Sequence, residues 1–262
     1  MFIETARGAS YAYTGTRALA STQRTVVFIH GAANDHSVWA LQSRYFAYHG
    51  CNVLALDLPG HGKSRGLALT SIASHAEWVI GLLDAAEISK AVLVGHSMGS
   101  LIALETAAHF AERVEKIVLI GIAVPMPVTA ALLDTSKAND HAAYEMINVF
   151  AHSAPAQIGG NRVPGGWLLG ASMRLMERSG PGVLHADFSA CNDYQSGLDH
   201  AQNVSCPALL ILGSRDLMTP ARAAKSIGEK LRGSLTVVLD GAGHSLMSEQ
   251  PDAVLDALID FV

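Results

Sequence analysis

Hydrophobic residues along this chain fall into short continuous runs separated by longer stretches of helical spacing, and that alternation predicts the fold. Thr25 to Ile29, Cys51 to Leu56, Lys90 to Val94, Val114 to Ile120, Pro207-Ala208 to Leu212 and Leu235 to Leu239 are apolar runs of buried-strand length. Between and after them, Ser37 to Tyr48, Thr70 to Ala86, Ser100 to Phe110, a stretch ending at Leu231, and Pro251 to Val262 read as helices. The first carries Val38, Leu41, Tyr45 and Tyr48 on one apolar face, and the last turns Val254, Leu255, Leu258, Ile259 and Val262 inward. Phe2 to Tyr13, reversing around Arg7-Gly8, reads as an antiparallel hairpin at a sheet edge. Strands alternating with helices in this way imply an α/β fold, a mostly parallel, doubly wound sheet with right-handed crossovers.

The alternation stops after Gly121. From about Ile122 to Val204 no strand-like run occurs, and Thr129 to Lys137, Asp140 to His152, Leu168 to Arg178 and Val183 to Tyr194 are short amphipathic pieces separated by Pro and Gly. Some eighty residues is too long for a loop in a compact domain. Residues 122–204 are therefore expected to form an inserted helical cap on a core built from residues 1–121 and 205–262, with Trp167, Leu168, Met173, Met176 and Phe188 covering something.

Composition narrows the partners. The chain has 262 residues, 50% of them hydrophobic, enough for one sizeable core. Charged residues are 16%, the formal net charge is −5 and no Lys/Arg run occurs, so neither nucleic acid nor an anionic membrane surface is indicated. A small, weakly charged or apolar molecule fits better. Cys51, Cys191 and Cys206 are odd in number and far apart, which suits a reducing cytoplasm. The opening MFIETARGAS has an acid and no apolar centre, so no signal peptide is expected. Ile117 to Leu133 carries Pro125 and Pro127 and is too short to span a membrane. Oligomeric state leaves no mark in the sequence.

The chemistry concentrates in Gly95-His96-Ser97-Met98-Gly99, set between a strand and a helix. G-x-S-x-G alone is a common chance match; this context makes it a nucleophile elbow. A β-carbon at Gly95 or Gly99 would collide as helix and strand close, and the tight turn pushes the Ser97 hydroxyl out above the sheet. The Met98 N–H, at the helix start, points to the same spot. A serine hydroxyl needs a base, and the base an acid to fix its tautomer. Asp216 and His244 each follow a predicted strand on the same rim, in the order Ser, Asp, His.

With HGAANDHSVW, DLPGHGKS, GHSMG, GSRDLMTP and GAGHSLMSEQP in sequence, the chain resembles the α/β-hydrolase superfamily along essentially its whole length. The resemblance implies the α/β-hydrolase fold, with Ser97 as nucleophile, His244 as general base, Asp216 as its partner, and the amides of Ala32 and Met98 as the oxyanion hole. Serine at the elbow disfavours the aspartate-nucleophile branches, the epoxide hydrolases and haloalkane dehalogenases. No metal or organic cofactor is expected.

Several residues compete for these roles. Asp57 also follows a strand but precedes Ser97, and the loop after Val114 to Ile120 has no carboxylate. Asp240 reads as a strand-end residue, Ser64 and Ser245 as loop hydroxyls, His49, His75 and His109 as helix-surface residues, and His61 as structural. Substrate-pocket candidates are His30 and His96 beside the serine, Trp167 and Met173 in the cap, and Met218 beside Asp216; Arg162, Arg174 and Arg178 are the cap's charged exceptions. The expected reaction is hydrolysis of a small to medium, largely uncharged carboxylic ester. A carbon–carbon bond hydrolase of the ring-cleavage type or a lactonase is the alternative on the same triad, and a ligand sensor on the same scaffold the alternative from another class.

Overall fold

Each apolar run becomes a strand. The computed structural model describes residues 1–160 and 165–262. The strands are β1 (Phe2–Thr5), β2 (Gly8–Tyr13), β3 (Thr25–Ile29), β4 (Asn52–Leu56), β5 (Ala91–His96), β6 (Val114–Ile120), β7 (Ala208–Gly213) and β8 (Leu235–Leu239). They form an eight-stranded sheet in the order β1-β2-β4-β3-β5-β6-β7-β8. The β1–β2 and β2–β4 pairs are antiparallel, and every pair from β4 across to β8 is parallel. The hairpin therefore sits at the edge, as expected.

Side-chain alternation in the central strands divides the core in two. Val27, Ile29 and Leu93 face α2 (Ile72–Ala85) and α3 (Met98–His109). Val26, Phe28, Val92 and Val94 face α1 (Ala40–Tyr48) and α12 (Pro251–Phe261). Burying each large aliphatic or aromatic side chain contributes about 1.5–3 kcal/mol, so both faces must be covered. α3 is buried on nearly every side from Met98 to Ala107, which explains why its sequence is apolar all round rather than striped.

Between β6 and β7 the described residues carry α4 (Ala130–Lys137), α5 (Ala142–Ala151), α6 (Ala154–Gln157), α7 (Leu168–Met176), α8 (Val183–Asp193) and α9 (Gly197–His200), and no strand. Leu132, Ala143, Met176, Leu184 and Phe188 from these helices cluster around Ala33, in the loop after β3. The chain returns to the core through β7, α10 (Lys225–Lys230), β8, α11 (Leu246–Glu249) and α12.

Three expectations are corrected. The core face of α1 is formed by Gln42, Ser43, Phe46 and Ala47, while Leu41 is 52% and Tyr48 60% exposed. The cause is a 3₁₀ turn at His36–Trp39, which buries Trp39 against Phe28 at 5.2 Å between ring centroids and rotates the helix that follows. In α12, Val254 and Leu258 are buried but Ile259 is exposed. His75 is not on the surface: it is fully buried in α2, its Nδ1 against the Ser71 carbonyl at 2.9 Å.

Two glycines in these elements make opposite predictions. A Cβ at Gly95 would overlap the backbone of Gly99 and Ser100, whereas one at Gly81, on the exposed face of α2, would meet nothing within 4 Å. Gly95→Ala is expected to cost about 3 kcal/mol, and Gly81→Ala to stabilise by about 0.5–1 kcal/mol, both read from urea unfolding midpoints.

Candidate active site

β5 ends at His96, and the chain turns straight into α3. Ser97, between them, takes φ 53° and ψ −118°, a conformation that costs a non-glycine residue of the order of 1–3 kcal/mol. Two missing side chains enforce it. Gly95 has the start of α3 against it, and a Cβ at Gly99 would overlap the Ile29 and His30 carbonyls at the end of β3. The Ser97 N–H donates to the Ile120 carbonyl of β6 at 2.9 Å, which fixes the turn to the neighbouring strand.

Asp216 follows β7 and His244 follows β8, and their rings and carboxylates meet. His244 Nδ1 lies 2.8 Å from Asp216 Oδ2. The other Asp216 lone pairs are filled too: Oδ1 accepts from the Met218 and Thr219 amides at 2.8 Å each, and Oδ2 from Thr219 Oγ1 at 2.7 Å. Burial pushes the Asp216 pKa up, but the His244 ring and the Thr219 donors outweigh it and hold the carboxyl below its ordinary value. An ionised Asp216 keeps the proton on Nδ1 and leaves Nε2 for the cavity. The His244 carbonyl is itself fixed by His96, whose Nε2 donates to it at 2.9 Å.

Ser97, His244, Ala32, His96 and Met218 line one cavity of about 370 Å³, closed on the other side by residues of α5 and α7. The amides of Ala32 and Met98 have no acceptor among the described residues. Met98's side chain is fully buried, so its contribution can only be the N–H at the first turn of α3. The strap carrying Ala32 is held from the inserted helices. Ala33, itself at φ 53°, donates its N–H to Asp187 Oδ2 of α8 at 2.9 Å, and its carbonyl accepts from Ser179 Oγ at 3.3 Å. Asp187 Oδ2 also takes His61 Nε2 at 2.9 Å, with both side chains wholly buried. Burial lowers the pKa of His61, but Asp187 more than offsets it, so the net shift is upward.

The remaining predicted pocket residues do not reach the cavity. His30 lies behind the strap, with Nδ1 donating to the Gly31 carbonyl at 2.8 Å and Nε2 accepting the Leu58 N–H at 3.1 Å. Trp167 is 77% exposed because its ring packs over Gly170 instead of turning inward. Met173 packs beside the Ala33 cluster, and its neighbours Ser172 and Met176 face the cavity in its place. Arg174 and Arg178 stand at the cavity wall, each paired to a carboxylate, Glu177 at 2.6 Å and Asp35 at 3.3 Å. Arg162 lies outside the described residues. Asp57 accepts the His36 and Lys63 amides at 2.8 Å and so serves the loop it opens. Asp240 accepts Ser214 Oγ at 3.0 Å.

Thr219 and Asp187 escaped the sequence reading. Each had a signal: a hydroxyl three residues after the acid, and a carboxylate on the apolar Leu184-Asp187-Phe188-Cys191 face of a helix.

Residues 26–257 match the model of the alpha/beta hydrolase family. The chain belongs to that family. It is 26% identical over 243 residues to the (E)-2-((N-methylformamido)methylene)succinate hydrolase of Acinetobacter baylyi, covering 89% of this chain and 88% of that one. It is 29% identical over 258 residues to the 2-hydroxy-6-oxononadienedioate/2-hydroxy-6-oxononatrienedioate hydrolase of Paraburkholderia phymatum, covering 92% and 87%. The enol-lactonase from Burkholderia xenovorans LB400 shares the fold, with a TM-score of 0.89, 21% identity, and coverage of 100% of this chain and 99% of that one. Among the described residues of this α/β hydrolase, no helix is long and apolar enough to cross a membrane.

The buried rings of this hydrolase make its stability depend on pH. Burial holds His30 at about 4 and His96 at about 3, against an ordinary 6.5. Below 6.5 the unfolded rings take up protons that the folded ones refuse, so stability falls as pH drops. His61 acts in the opposite sense, its contribution fading only as pH rises through its raised value. The melting temperature is therefore expected to fall between pH 7 and pH 5, with a shallower slope in His30→Asn.

Proposed function

We propose that this α/β hydrolase cleaves a small to medium, largely uncharged carboxylic ester through a serine acyl-enzyme. The observation that carries the reading is a strained Ser97 that lines the same cavity as a His244 ring braced by Asp216; no hydrogen bond joins the Ser97 hydroxyl to that ring among the described residues, so the ring must close on the hydroxyl when substrate binds. In this reading His244 Nε2 takes the Ser97 proton as Oγ attacks the carbonyl carbon. The oxyanion is stabilised by the Ala32 and Met98 amides, each worth roughly 10²–10³ in rate. His244 then protonates the leaving alcohol, and activates water to release the acid. Residues 122–204 act as the cap that closes the acyl pocket over the core of residues 1–121 and 205–262. The preference for an uncharged substrate rests on the cavity-wall arginines, both already matched to carboxylates.

A second reading is supported by the relatives. Two of them are named for derivatives of dicarboxylic acids and one fold neighbour for an enol-lactone. Cleavage of a carbon–carbon bond or a lactone would use the same three side chains. Arg174 is exposed, and a surface pair such as Arg174–Glu177 is worth only about 0–1 kcal/mol, so a substrate carboxylate can take the place of Glu177. A sensor lacking an activated serine is separated from both readings by a fluorophosphonate probe.

The expected result is fluorophosphonate labelling of the wild type and none of Ser97→Ala. Turnover of aryl esters should fall by about 10⁴-fold or more in Ser97→Ala and His244→Ala, and by a few orders of magnitude in Asp216→Asn. Lactones and vinylogous diketones, assayed beside the esters, rank the two readings. A folded Ser97→Ala that keeps most of the activity overturns the assignment.

A further inference from the structure

At the end of α3 remote from Ser97, a buried carboxylate and two imidazoles converge outside the catalytic cavity. Glu105 is 4% exposed, while His109 and His200 are open enough to reach water. Glu105 Oε1 lies 3.2 Å from His109 Nε2, and His109 Nε2 lies 3.4 Å from His200 Nδ1. One ligand atom from each of the three lies within 4.8 Å of the others. Four donors placed tetrahedrally at 2.0–2.1 Å around a zinc ion are separated by about 3.3–3.4 Å. Two edges of this triangle already have that length.

The rest of the environment points the same way. Tyr194 donates its hydroxyl to Glu105 Oε2 at 2.6 Å. Outer partners of this kind fix a ligating carboxylate and turn its other oxygen outward. Without a cation, His200 Nδ1 hydrogen-bonds Glu105 Oε2 at 2.6 Å, while His109 Nε2 lies 3.2 Å from Oε1 and 3.4 Å from His200 Nδ1. A cation between Oε1 and the two nitrogens would replace those contacts and would also sit at the negative end of the α3 dipole.

We propose that Glu105, His109 and His200 form a binding site for one divalent transition-metal ion, of which zinc fits best, with the fourth position open to water. Two imidazoles and a carboxylate suit zinc, cobalt or nickel rather than calcium or magnesium. The ion ties the last turn of α3 to α9, the segment leading back from the inserted helices to β7. Glu105 is eight residues along α3 from Ser97, about 12 Å at 1.5 Å per residue, so the site is a clasp and takes no part in the hydrolysis.

The test uses the tag-free chain, stripped with chelator and titrated with Zn²⁺, with Co²⁺ as the spectroscopic probe. One equivalent of Zn²⁺ should bind and raise the melting temperature, and Co²⁺ should give the intense visible bands of a tetrahedral site. His109→Ala and His200→Ala, both at partly exposed positions, should abolish the shift and the bands while leaving ester turnover unchanged. Tyr194→Phe should weaken Zn²⁺ binding about 10–100-fold. The proposal is overturned if the wild type takes up no stoichiometric Zn²⁺, which would leave the cluster a hydrogen-bond network. It is also overturned if both histidine variants bind as tightly as the wild type.

Discussion

The site depends on one crowded crossing, where β5 turns into α3 against the end of β3. Backbone meets backbone there on two sides, so positions 95 and 99 can hold no side chain. The turn closes until the residue between them must take a positive φ, and that residue is Ser97. Its strain is affordable because α3 is buried on nearly every side and its packing over-determines the turn. The same crossing sets the strap after β3. Gly99 rests on the Ile29 and His30 carbonyls, and Gly31 has Ser97 and His96 beside it. Ser97 and the strap are thus fixed relative to each other by steric exclusion before any hydrogen bond is considered.

The inserted helices then lock the two loops that sterics leave adjustable. Asp187 of α8 grips the strap through the Ala33 amide and is itself paired to His61. At the end of α5, the Ala151 carbonyl accepts the Ser245 N–H at 2.9 Å. Nearby, Glu249 takes the Ser153 hydroxyl at 2.6 Å and the Gly243 amide at 3.1 Å. Breaking a buried pair such as His61–Asp187 by removing one partner typically costs about 3–5 kcal/mol. That is a large share of a domain's total stability. The helices between β6 and β7 therefore hold both the strap beside Ser97 and the loop that carries His244.

What could be read from the chain follows from the range of the forces involved. Strand positions, the helical insertion and the elbow were legible because apolar runs and a G-x-S-x-G turn are local signals. The meeting of Asp216 and His244 was legible because both sit directly after a strand, where the parallel sheet brings loop ends together. The face of α1 was not, because Trp39 docks on Phe28 from another element and resets the helix phase. Trp167 was expected inside on hydrophobicity alone, but Gly170 offers its ring a seat at the surface. His75 looked like a surface residue because the Ser71 carbonyl that satisfies its Nδ1 is a backbone group one turn back, which no side-chain pattern announces. The Glu105-His109-His200 cluster joins one helix to a segment 91 residues further on, beyond the reach of any spacing rule.

The histidines around the cavity show how neighbours of one type can be given separate tasks. His30 and His96 lie close to the reacting groups, and a proton on either would compete electrostatically with one on His244. Burial prevents it, holding them neutral at about 4 and about 3. His152, also on the cavity wall, is lowered by burial as well, and its Nδ1 lies 2.9 Å from the Asn148 carbonyl. Among the described residues, His244 alone combines access to Ser97's cavity with an ionised carboxylate at its back. The fold thus uses desolvation to keep neutral the rings that orient loops and sets a buried carboxylate behind His244. In the mechanism we propose, the proton therefore passes through His244 Nε2, with Asp216 fixed behind Nδ1.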